Sequence, residues 1–240
     1  MTSNNNSAGL SVVDLQVRYG TPLAVNRVSF ELPAGSVLTV LGANGAGKSS
    51  IARACSGLVA AAAGTVRLGD HDITRWSADK IRRAGLIYLP ESRGIFPTLS
   101  VSENLRLAVR LTSNPDRALA AALEMFPILA RRRRQRAGSM SGGEQQMLSL
   151  ARALVGEPRV LIIDEPSLGL SPVMVEQVFE SLAQAKQRGL TMILAEQFAH
   201  RALALSDQCL IMNRGTTAWS GPASEAGNVL FRHYIGDASS

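Results

Sequence analysis

A glycine-rich loop between an apolar strand and a helical stretch constrains this sequence more than any other feature. The loop reads Gly42-Ala43-Asn44-Gly45-Ala46-Gly47-Lys48-Ser49, after the apolar run at 37–41 and before a helical pattern at 51–58. Glycines let backbone N–H groups curl around phosphate oxygens, and a helix N-terminus adds partial positive charge. A glycine-rich turn would match the pattern by chance in only about one per cent of chains of this length. The order strand, loop, helix therefore predicts a phosphate-binding α/β domain.

The side chains that end the loop predict a nucleotide site with magnesium. Lys48 would supply a full positive charge at the β- and γ-phosphates, and the Ser49 hydroxyl would ligate Mg²⁺. The residues expected to contact the nucleotide in this segment are Gly42, Ala43, Asn44, Gly45, Ala46, Gly47, Lys48, Ser49 and Ser50.

An acidic pair follows a second apolar strand. Asp164 and Glu165 come directly after the apolar run at 160–163, and open α/β sheets bind ligands at the carboxyl ends of their strands. Asp164 would hold the Mg²⁺ directly or through water. Glu165 would accept a proton from an attacking water molecule. The alternative is an acidic pair that only caps the next helix.

Short apolar segments alternate with helical patterns, which predicts a largely parallel sheet. The predicted strands cover residues 11–18, 28–32, 37–41, 86–89, 160–163, 192–195 and 209–212. Helices are predicted over 173–182 and from Ser100, where Ser100 and Glu103 form a capping-box pattern. Residues from about 95 to 145 read as an inserted helical subdomain. We expect residues 1–9 to be a disordered tail and 10–237 to form the domain.

Composition narrows the classes of protein and the kinds of partner that are open to this chain. With 46% hydrophobic and 18% charged residues, the 240-residue chain suits one α/β domain, and no apolar run is long enough to cross a bilayer. Cys55 and Cys209 fit no metal or redox spacing and should be buried thiols. The net charge of +6 suits several anionic partners. Only 5% of residues are aromatic and no basic-aromatic interleaving occurs, so we expect no nucleic-acid partner.

Arginines cluster near the end of the predicted insert, at Arg131, Arg132, Arg133, Arg134 and Arg136. They suit a solvated helix end, where cations interact favourably with the carbonyl end of the dipole. The alternative is a surface for anionic lipid headgroups or for an acidic loop of a partner.

A third motif identifies a family. The segment Met140-Ser141-Gly142-Gly143-Glu144-Gln145-Gln146 precedes a helical stretch and lies before Asp164. Ser141 and Glu144 could be no more than a capping box, but the two glycines leave bare N–H groups for an anion at a helix start. The segment resembles the signature motif of the ABC ATPase family. The three motifs occur in that family's order, and the resemblance covers residues from about 10 to 235.

The resemblance implies an α/β fold with a phosphate-loop NTPase core of ABC type, a small N-terminal antiparallel β part and the helical insert. It implies ATP and Mg²⁺ as ligands, with each ATP held between one subunit's phosphate loop and the partner's signature. Ser141, Gly142 and Gly143 would then lie at the partner's ATP, with Ser141 and Gly143 touching its γ-phosphate. Tyr19 stands where the family places an aromatic under the adenine, a contact of roughly 1–3 kcal/mol. The alternative for Tyr19 is an ordinary strand-end aromatic.

Three positions depart from the usual ABC pattern. Glu91 replaces a Gln whose loop meets both Mg²⁺ and the membrane subunits, so the resemblance makes Glu91 a candidate metal contact. Ser171 stands at a usual Asp, and Gln197 stands at the usual switch His. An amide cannot titrate as histidine does. We therefore expect Glu165 to act as the catalytic base and Gln197 to be a catalytic residue that orients the γ-phosphate and the attacking water.

The departures resemble one branch of the family. The phrases LPESRGIFPTLSVSENL, SMSGGEQQMLSLARAL, DEPSLGLSP and AEQ resemble one of the two ATPases of branched-chain amino-acid importers. That resemblance implies a second, different ATP-binding subunit, two permease subunits and an external solute-binding protein. It also implies a peripheral position at the cytoplasmic face of the inner membrane, reached through the permeases.

Four alternatives stand beside this interpretation. Related importers carry urea, short amides or aromatic acids. A lipid or lipopolysaccharide exporter would predict Gln at position 91 and His at position 197. A soluble ABC ATPase of DNA repair or translation would need a coiled-coil insert or a second ATPase domain. A partner that binds ATP but hardly hydrolyses it is disfavoured by Glu165.

Overall fold

The computed structural model describes residues 8–109, 112, 114–197, 199–227 and 229. The strands are β1 (Ala8–Arg18), β2 (Leu23–Pro33), β3 (Val37–Leu41), β4 (Ala61–Leu68), β5 (His71–Asp72), β6 (Leu86–Leu89), β7 (Val160–Asp164), β8 (Thr191–Glu196), β9 (Gln208–Asn213) and β10 (Thr216–Pro222). The helices are α1 (Lys48–Cys55), α2 (Ala78–Arg83), α3 (Val101–Val109), α4 (Pro115–Met125), α5 (Pro127–Arg131), α6 (Gly142–Leu154), α7 (Pro172–Gln187) and α8 (Ala199–Leu205). A short 3₁₀ helix spans Ala137–Ser139.

The N-terminal strands form an antiparallel sheet in the order β2-β1-β4-β5. Strand β1 buries Leu10, Val12, Leu15 and Val17. An extra residue at Asp14, with φ of 49° and a register shift between Val12 and Leu15, returns the later pair to the buried face. The predicted N-terminal antiparallel part is confirmed.

The second sheet has the order β10-β9-β3-β8-β7-β6, with only β10 antiparallel. Every residue of β3, β7 and β8 is buried, because both faces of the sheet are covered. Alternate residues of β7 point into two cores. Leu161 and Ile163 pack against α3 to α7, while Val160 and Ile162 pack toward α1 and the antiparallel sheet. The predicted mixed α/β core is confirmed.

The parallel register brings four strand ends to one edge. Leu41 aligns with Glu196, Asp164 with Ala195, and Leu89 with Ile163. The segments that begin at residues 42, 90, 165 and 197 therefore leave the sheet side by side. Sequence elements far apart in the chain meet at this edge.

Residues 95–145 contain α3, α4, α5 and the 3₁₀ helix. Within the described part of this stretch the only β pairing is an isolated bridge between Ser100 and Arg136. The capping box predicted for the first helix forms, since Ser100 N donates to Glu103 Oε2 at 2.8 Å and Glu103 N donates to Ser100 Oγ at 3.2 Å. Of the arginine cluster, Arg132 pairs with Glu144 at 2.9 Å, and the other four side chains are exposed.

Several predicted boundaries need correction. Strand β1 begins at Ala8, which pairs with Pro33, so the predicted tail is too long by two residues; residues 1–7 lie outside the described part. The last predicted domain residues, 230–237, also lie outside it. Strands β4, β5 and β10 were not predicted. Strand β4 opens with Ala-Ala-Ala-Gly, residues that β-propensity disfavours.

Two smaller expectations can be compared with the structure. Cys55 and Cys209 are free and buried, and burial raises the pKa of each thiol to about 12. Of the helices in the described part of the chain, none combines the length and the apolar character that crossing a bilayer requires.

Candidate functional site

The glycine-rich loop joins β3 to α1 and forms one wall of a hollow of about 310 Å³. Gly47 is the N-cap of α1 with φ of 108°, and a Cβ built on it would lie 2.8 Å from the Ala24 carbonyl oxygen. Only glycine fits that position. The hollow is lined by Ala24, Asn44, Gly45, Ala46, Gly47, Lys48, Ser49, Ser50, Glu91, Glu165, Leu168 and Gln197.

Lys48 lies at the centre of this arrangement and is 5% exposed. Its Nζ donates to the Gly42 carbonyl at 2.8 Å and to the Ala43 carbonyl at 3.4 Å. The same Nζ lies 3.1 Å from Glu165 Oε1, in an ion pair that the sequence did not suggest. The loop thus folds back onto its own lysine, and the lysine connects it to the end of β7.

Asp164 ends β7 and is 2% exposed. Its Oδ1 accepts from the Ser49 hydroxyl at 3.1 Å, and its Oδ2 accepts from the Tyr88 hydroxyl at 2.9 Å. The structure therefore brings together the two strongest candidate metal ligands, Ser49 and Asp164. Their oxygens are the donor type that Mg²⁺ prefers, and the glycine cradle beside them has room for phosphate, so the residues fit MgATP.

The acidic pair does not cap the next helix. Helix α7 begins at Pro172 with Ser171 as its N-cap, beyond the reach of an N-terminal cap by Asp164 or Glu165. Glu165 instead has φ of 51°, in the left-handed region that non-glycine residues rarely adopt, and its N–H donates to the Ala195 carbonyl at 2.8 Å. This turn places the Glu165 side chain in the hollow with Lys48.

The two predicted catalytic residues line the same hollow. Gln197 follows β8 and is exposed, whereas the Glu165 side chain is only 9% exposed. Glu91 also lines the hollow, with an exposed side chain. The residues that depart from the usual pattern at positions 91 and 197 thus share one site with the phosphate loop.

Sequence reasoning missed Glu196, a fully buried carboxylate at the end of β8. Its Oε1 accepts from the Ser167 N–H and its Oε2 accepts from the Gln197 N–H, both at 3.1 Å. Glu196 therefore ties the segment after Glu165 to the neighbouring switch position. The feature of the sequence that could have indicated Glu196 is a carboxylate directly after the apolar run at 192–195.

Tyr19 does not line the hollow, and 43% of its surface is exposed. Hydrogen bonds with Tyr19 and then with Tyr88 raise the pKa of Arg53, which lies on α1 one turn after Ser49. Tyr19 is therefore close to the helix that follows the phosphate loop. Its stacking on adenine stays a prediction.

The signature segment begins α6 and lies apart from the hollow. Ser141 and Glu144 do form a capping box, with Glu144 N donating to Ser141 Oγ at 3.3 Å and Ser141 N donating to Glu144 Oε2 at 2.9 Å. Gly143 is buried under Met174, and a Cβ built there would lie 2.4 Å from the Met174 methyl carbon. Contact of Ser141, Gly142 and Gly143 with a partner's nucleotide stays a prediction.

A polar stripe on α6 holds the loop that carries Glu91. The stripe consists of Gln145, Ser149 and Arg152, spaced four and three residues apart on one helix face. Arg93 Nη1 donates to Gln145 Oε1 at 2.9 Å. The Ser149 hydroxyl donates to the Arg93 carbonyl, and Arg152 donates to the Gly94 carbonyl. The loop from 90 to 94 is therefore attached to the helix that starts at the signature.

Comparisons with known proteins agree with this arrangement. A family model described as ABC transporter matches residues 25–168. The chain is 40% identical over 208 residues to the high-affinity branched-chain amino acid transport ATP-binding protein BraG of Pseudomonas aeruginosa, covering 86% of this chain and 89% of that protein. It is 34% identical over 219 residues to the probable branched-chain amino acid transport ATP-binding protein LivF of Archaeoglobus fulgidus, covering 90% and 93%.

A solved structure has the same fold. The crystal structure of the ADP conformation of MJ1267, an ATP-binding cassette of an ABC transporter, matches with a TM-score of 0.84. The identity is 24%, and the match covers 93% of this chain and 94% of that one.

Proposed function

This chain belongs to the ABC transporter family, as an ATP-binding subunit whose ATP hydrolysis is coupled to transport, and we propose that the transporter imports branched-chain or related hydrophobic amino acids. The observation that carries the proposal is the 40% identity to BraG, which extends over 86% of this chain and 89% of that protein. A match over nearly the full length of both chains includes the helical part as well as the nucleotide-binding motifs.

The geometry supports a division of roles among the residues of the hollow. ATP phosphates would lie against the loop, where Lys48 Nζ would exchange its bond to Glu165 for bonds to phosphate oxygens. Glu165 would then be free to accept the proton of the attacking water. Mg²⁺, held by Ser49 and Asp164 with Glu91 nearby, would neutralise phosphate charge when bound. Gln197 would orient the γ-phosphate and the water through its amide.

We place a second, different ATP-binding subunit opposite this hollow. Ser141 is exposed at the start of α6 and does not reach this chain's own phosphate loop. A head-to-tail partner would bring its phosphate loop to that helix start and its signature to this hollow. The nucleotide would then be enclosed from two sides.

The assembly predicts low activity for the isolated chain. Each site lacks the partner's signature donors, so the isolated subunit should be mainly monomeric and hydrolyse ATP slowly. Addition of a different ATP-binding subunit and the two permeases should raise turnover. Sedimentation and phosphate release measure both quantities. An isolated chain that is a stable dimer at full transporter rates would contradict the heteromeric proposal.

The permeases would dock beside the Glu91 loop, at the cytoplasmic face of the inner membrane. Arg82, Arg93 and Arg152 line a hollow of about 170 Å³ there. Burial, and next the charge of Arg82, lower the pKa of Arg152, whose buried Nε has no hydrogen-bond partner among the described residues. The ion pairs found in the described part of the chain include none of the three arginines. An acidic cytoplasmic loop of a permease would supply the missing negative charge.

Reversal of one exposed charge tests this surface. Arg82→Glu should weaken co-purification with the permeases by about tenfold or more, because it replaces attraction with repulsion. MgATP binding should stay unchanged, since Arg82 lies outside the nucleotide hollow. Arg188→Glu, an equal charge change at the exposed end of α7, is the matched control. If both variants bind the permeases equally well, the arginine hollow is not the docking surface.

Reconstitution tests the transported solute. The four membrane and ATP-binding subunits would be placed in proteoliposomes with the external binding protein, and ATP hydrolysis would be followed as solutes are added. Stimulation by leucine, isoleucine or valine is expected. Stimulation by urea, short amides or aromatic acids alone would assign a related importer instead. Stimulation by lipid without any binding protein would assign an exporter.

A further inference from the structure

Asp164 needs a fixed orientation because it is almost fully removed from water. Two hydroxyl groups hold its carboxylate, Ser49 on Oδ1 and Tyr88 on Oδ2. Ser49 lines the nucleotide hollow and is itself a proposed metal ligand, so its hydroxyl has a second task. Tyr88 does not line that hollow. The Ser49 hydroxyl would have to bind the metal as well as Asp164. The Tyr88 hydroxyl has no such second partner and can therefore keep its bond to Asp164 when the metal binds.

The direction of the Tyr88 proton follows from the groups on either side of it. Hydrogen bonding, first with Tyr19 and next with Tyr88, raises the pKa of Arg53, which places its guanidinium, a group that can only donate, beside the Tyr88 hydroxyl. The Asp164 carboxylate can only accept. The hydroxyl must therefore accept from Arg53 and donate to Asp164.

The position of Arg53 connects this chain of bonds to the phosphate loop. Arg53 lies on α1 four residues after Ser49, on the same helix face. Helix α1 thus carries both Ser49, which bonds Asp164 directly, and Arg53, which lies beside Tyr88, the other hydroxyl partner of Asp164. The Tyr88 ring is partly buried and packs against the core around α1 and the antiparallel sheet. That packing limits the movement of the hydroxyl.

We propose that Tyr88 is a positioning residue for the magnesium site, whose hydroxyl, oriented by Arg53, holds the Asp164 carboxylate in the orientation that binds the metal. This inference rests on the proposed MgATP site. Tyr88 touches neither nucleotide nor metal in this arrangement and acts only through Asp164. Groups that orient a metal ligand typically change metal affinity by about 10–100-fold when they are removed.

Tyr88→Phe tests the proposal, since it removes the hydroxyl and keeps the ring. The full chain would be titrated with ADP by calorimetry with and without Mg²⁺, and with Mn²⁺ by electron paramagnetic resonance in the presence of ADP. We expect metal affinity to fall by about 10–100-fold. The affinity for metal-free ADP should stay unchanged, because the phosphate loop itself is intact. Unchanged metal affinity in Tyr88→Phe would overturn the proposal.

Two further variants separate positioning from a general loss of structure. Thr39→Val removes another buried hydroxyl, one that bonds Ser206 away from the site, and should leave metal affinity unchanged. Arg53→Met should weaken metal binding in the same direction as Tyr88→Phe, by a smaller factor. An equal loss in Thr39→Val would overturn the assignment. A parent chain whose ADP affinity does not respond to Mg²⁺ would instead contradict the proposed MgATP site.

Discussion

Lys48→Ala is expected to abolish measurable MgATP binding by the isolated chain. Lys48 is buried in the glycine-rich loop, and among the described residues that line the hollow it is the one side-chain cation. Hydrogen bonds to charged groups contribute about 1.5–3 kcal/mol each, and Lys48 would bond oxygens of two phosphates. Loss of about 3 kcal/mol or more weakens binding by about 100-fold or more. Calorimetric titration with MgATP measures the change.

Because Lys48 forms an ion pair with Glu165, the Lys48→Ala variant needs a control. Lys48→Ala leaves the Glu165 carboxylate without its partner at 3.1 Å, so the fold of the variant must be checked by thermal denaturation. Glu165→Gln removes the carboxylate charge and keeps the lysine, and it should retain MgATP binding. Equal affinities of Lys48→Ala and the parent would remove the basis of the phosphate-loop assignment.

Glu165→Gln is expected to lose far more hydrolysis than Gln197→Ala in the assembled transporter. A carboxylate can take a proton from water at neutral pH, whereas an amide can only orient by hydrogen bonds. Loss of a general base typically costs about 10²–10⁴ in rate. Loss of one orienting hydrogen bond, worth about 1 kcal/mol, should cost about tenfold or less. Both variants should keep ATP binding.

The assay must report one site at a time, so the partner ATPase carries a disabled site of its own. Phosphate release is then measured for the parent and for both variants. If Gln197→Ala is as inactive as Glu165→Gln, the two residues act as one unit and the division of roles is wrong. If neither variant changes turnover, this chain's site is silent and the partner's site drives transport.

The parts of the site that follow local rules could be predicted from the sequence. The phosphate loop depends on the backbone geometry of its glycines. Asp164 ends a strand that is buried on both faces. Each property leaves a pattern in adjacent residues. The parallel strands were found for the same reason, since burial on both faces produces continuous apolar runs.

The parts that depend on distant partners could not be predicted. The pairing of Tyr88 with Asp164 follows from β6 and β7 being neighbours in the sheet, and the pairing of Lys48 with Glu165 follows from β3 and β7 lying on either side of β8. No local pattern of residues indicates the order of the strands in the sheet. Glu196 was missed because a buried carboxylate needs hydrogen-bond donors, and one of its donors, the Ser167 N–H, lies far away in the sequence. Strand β4 was missed because its alanines pair by backbone alone.

The polar stripe on α6 has a mechanical consequence. Three hydrogen bonds attach Arg93 and Gly94, in the loop that carries Glu91, to the helix whose N-cap is Ser141. If this loop moved when the site filled, the attached helix and Ser141 would move with it. In the proposed head-to-tail assembly, filling this chain's site would then change how Ser141 meets the partner's nucleotide. In the proposed assembly of two ATP-binding subunits, two sites connected in this way would not turn over independently.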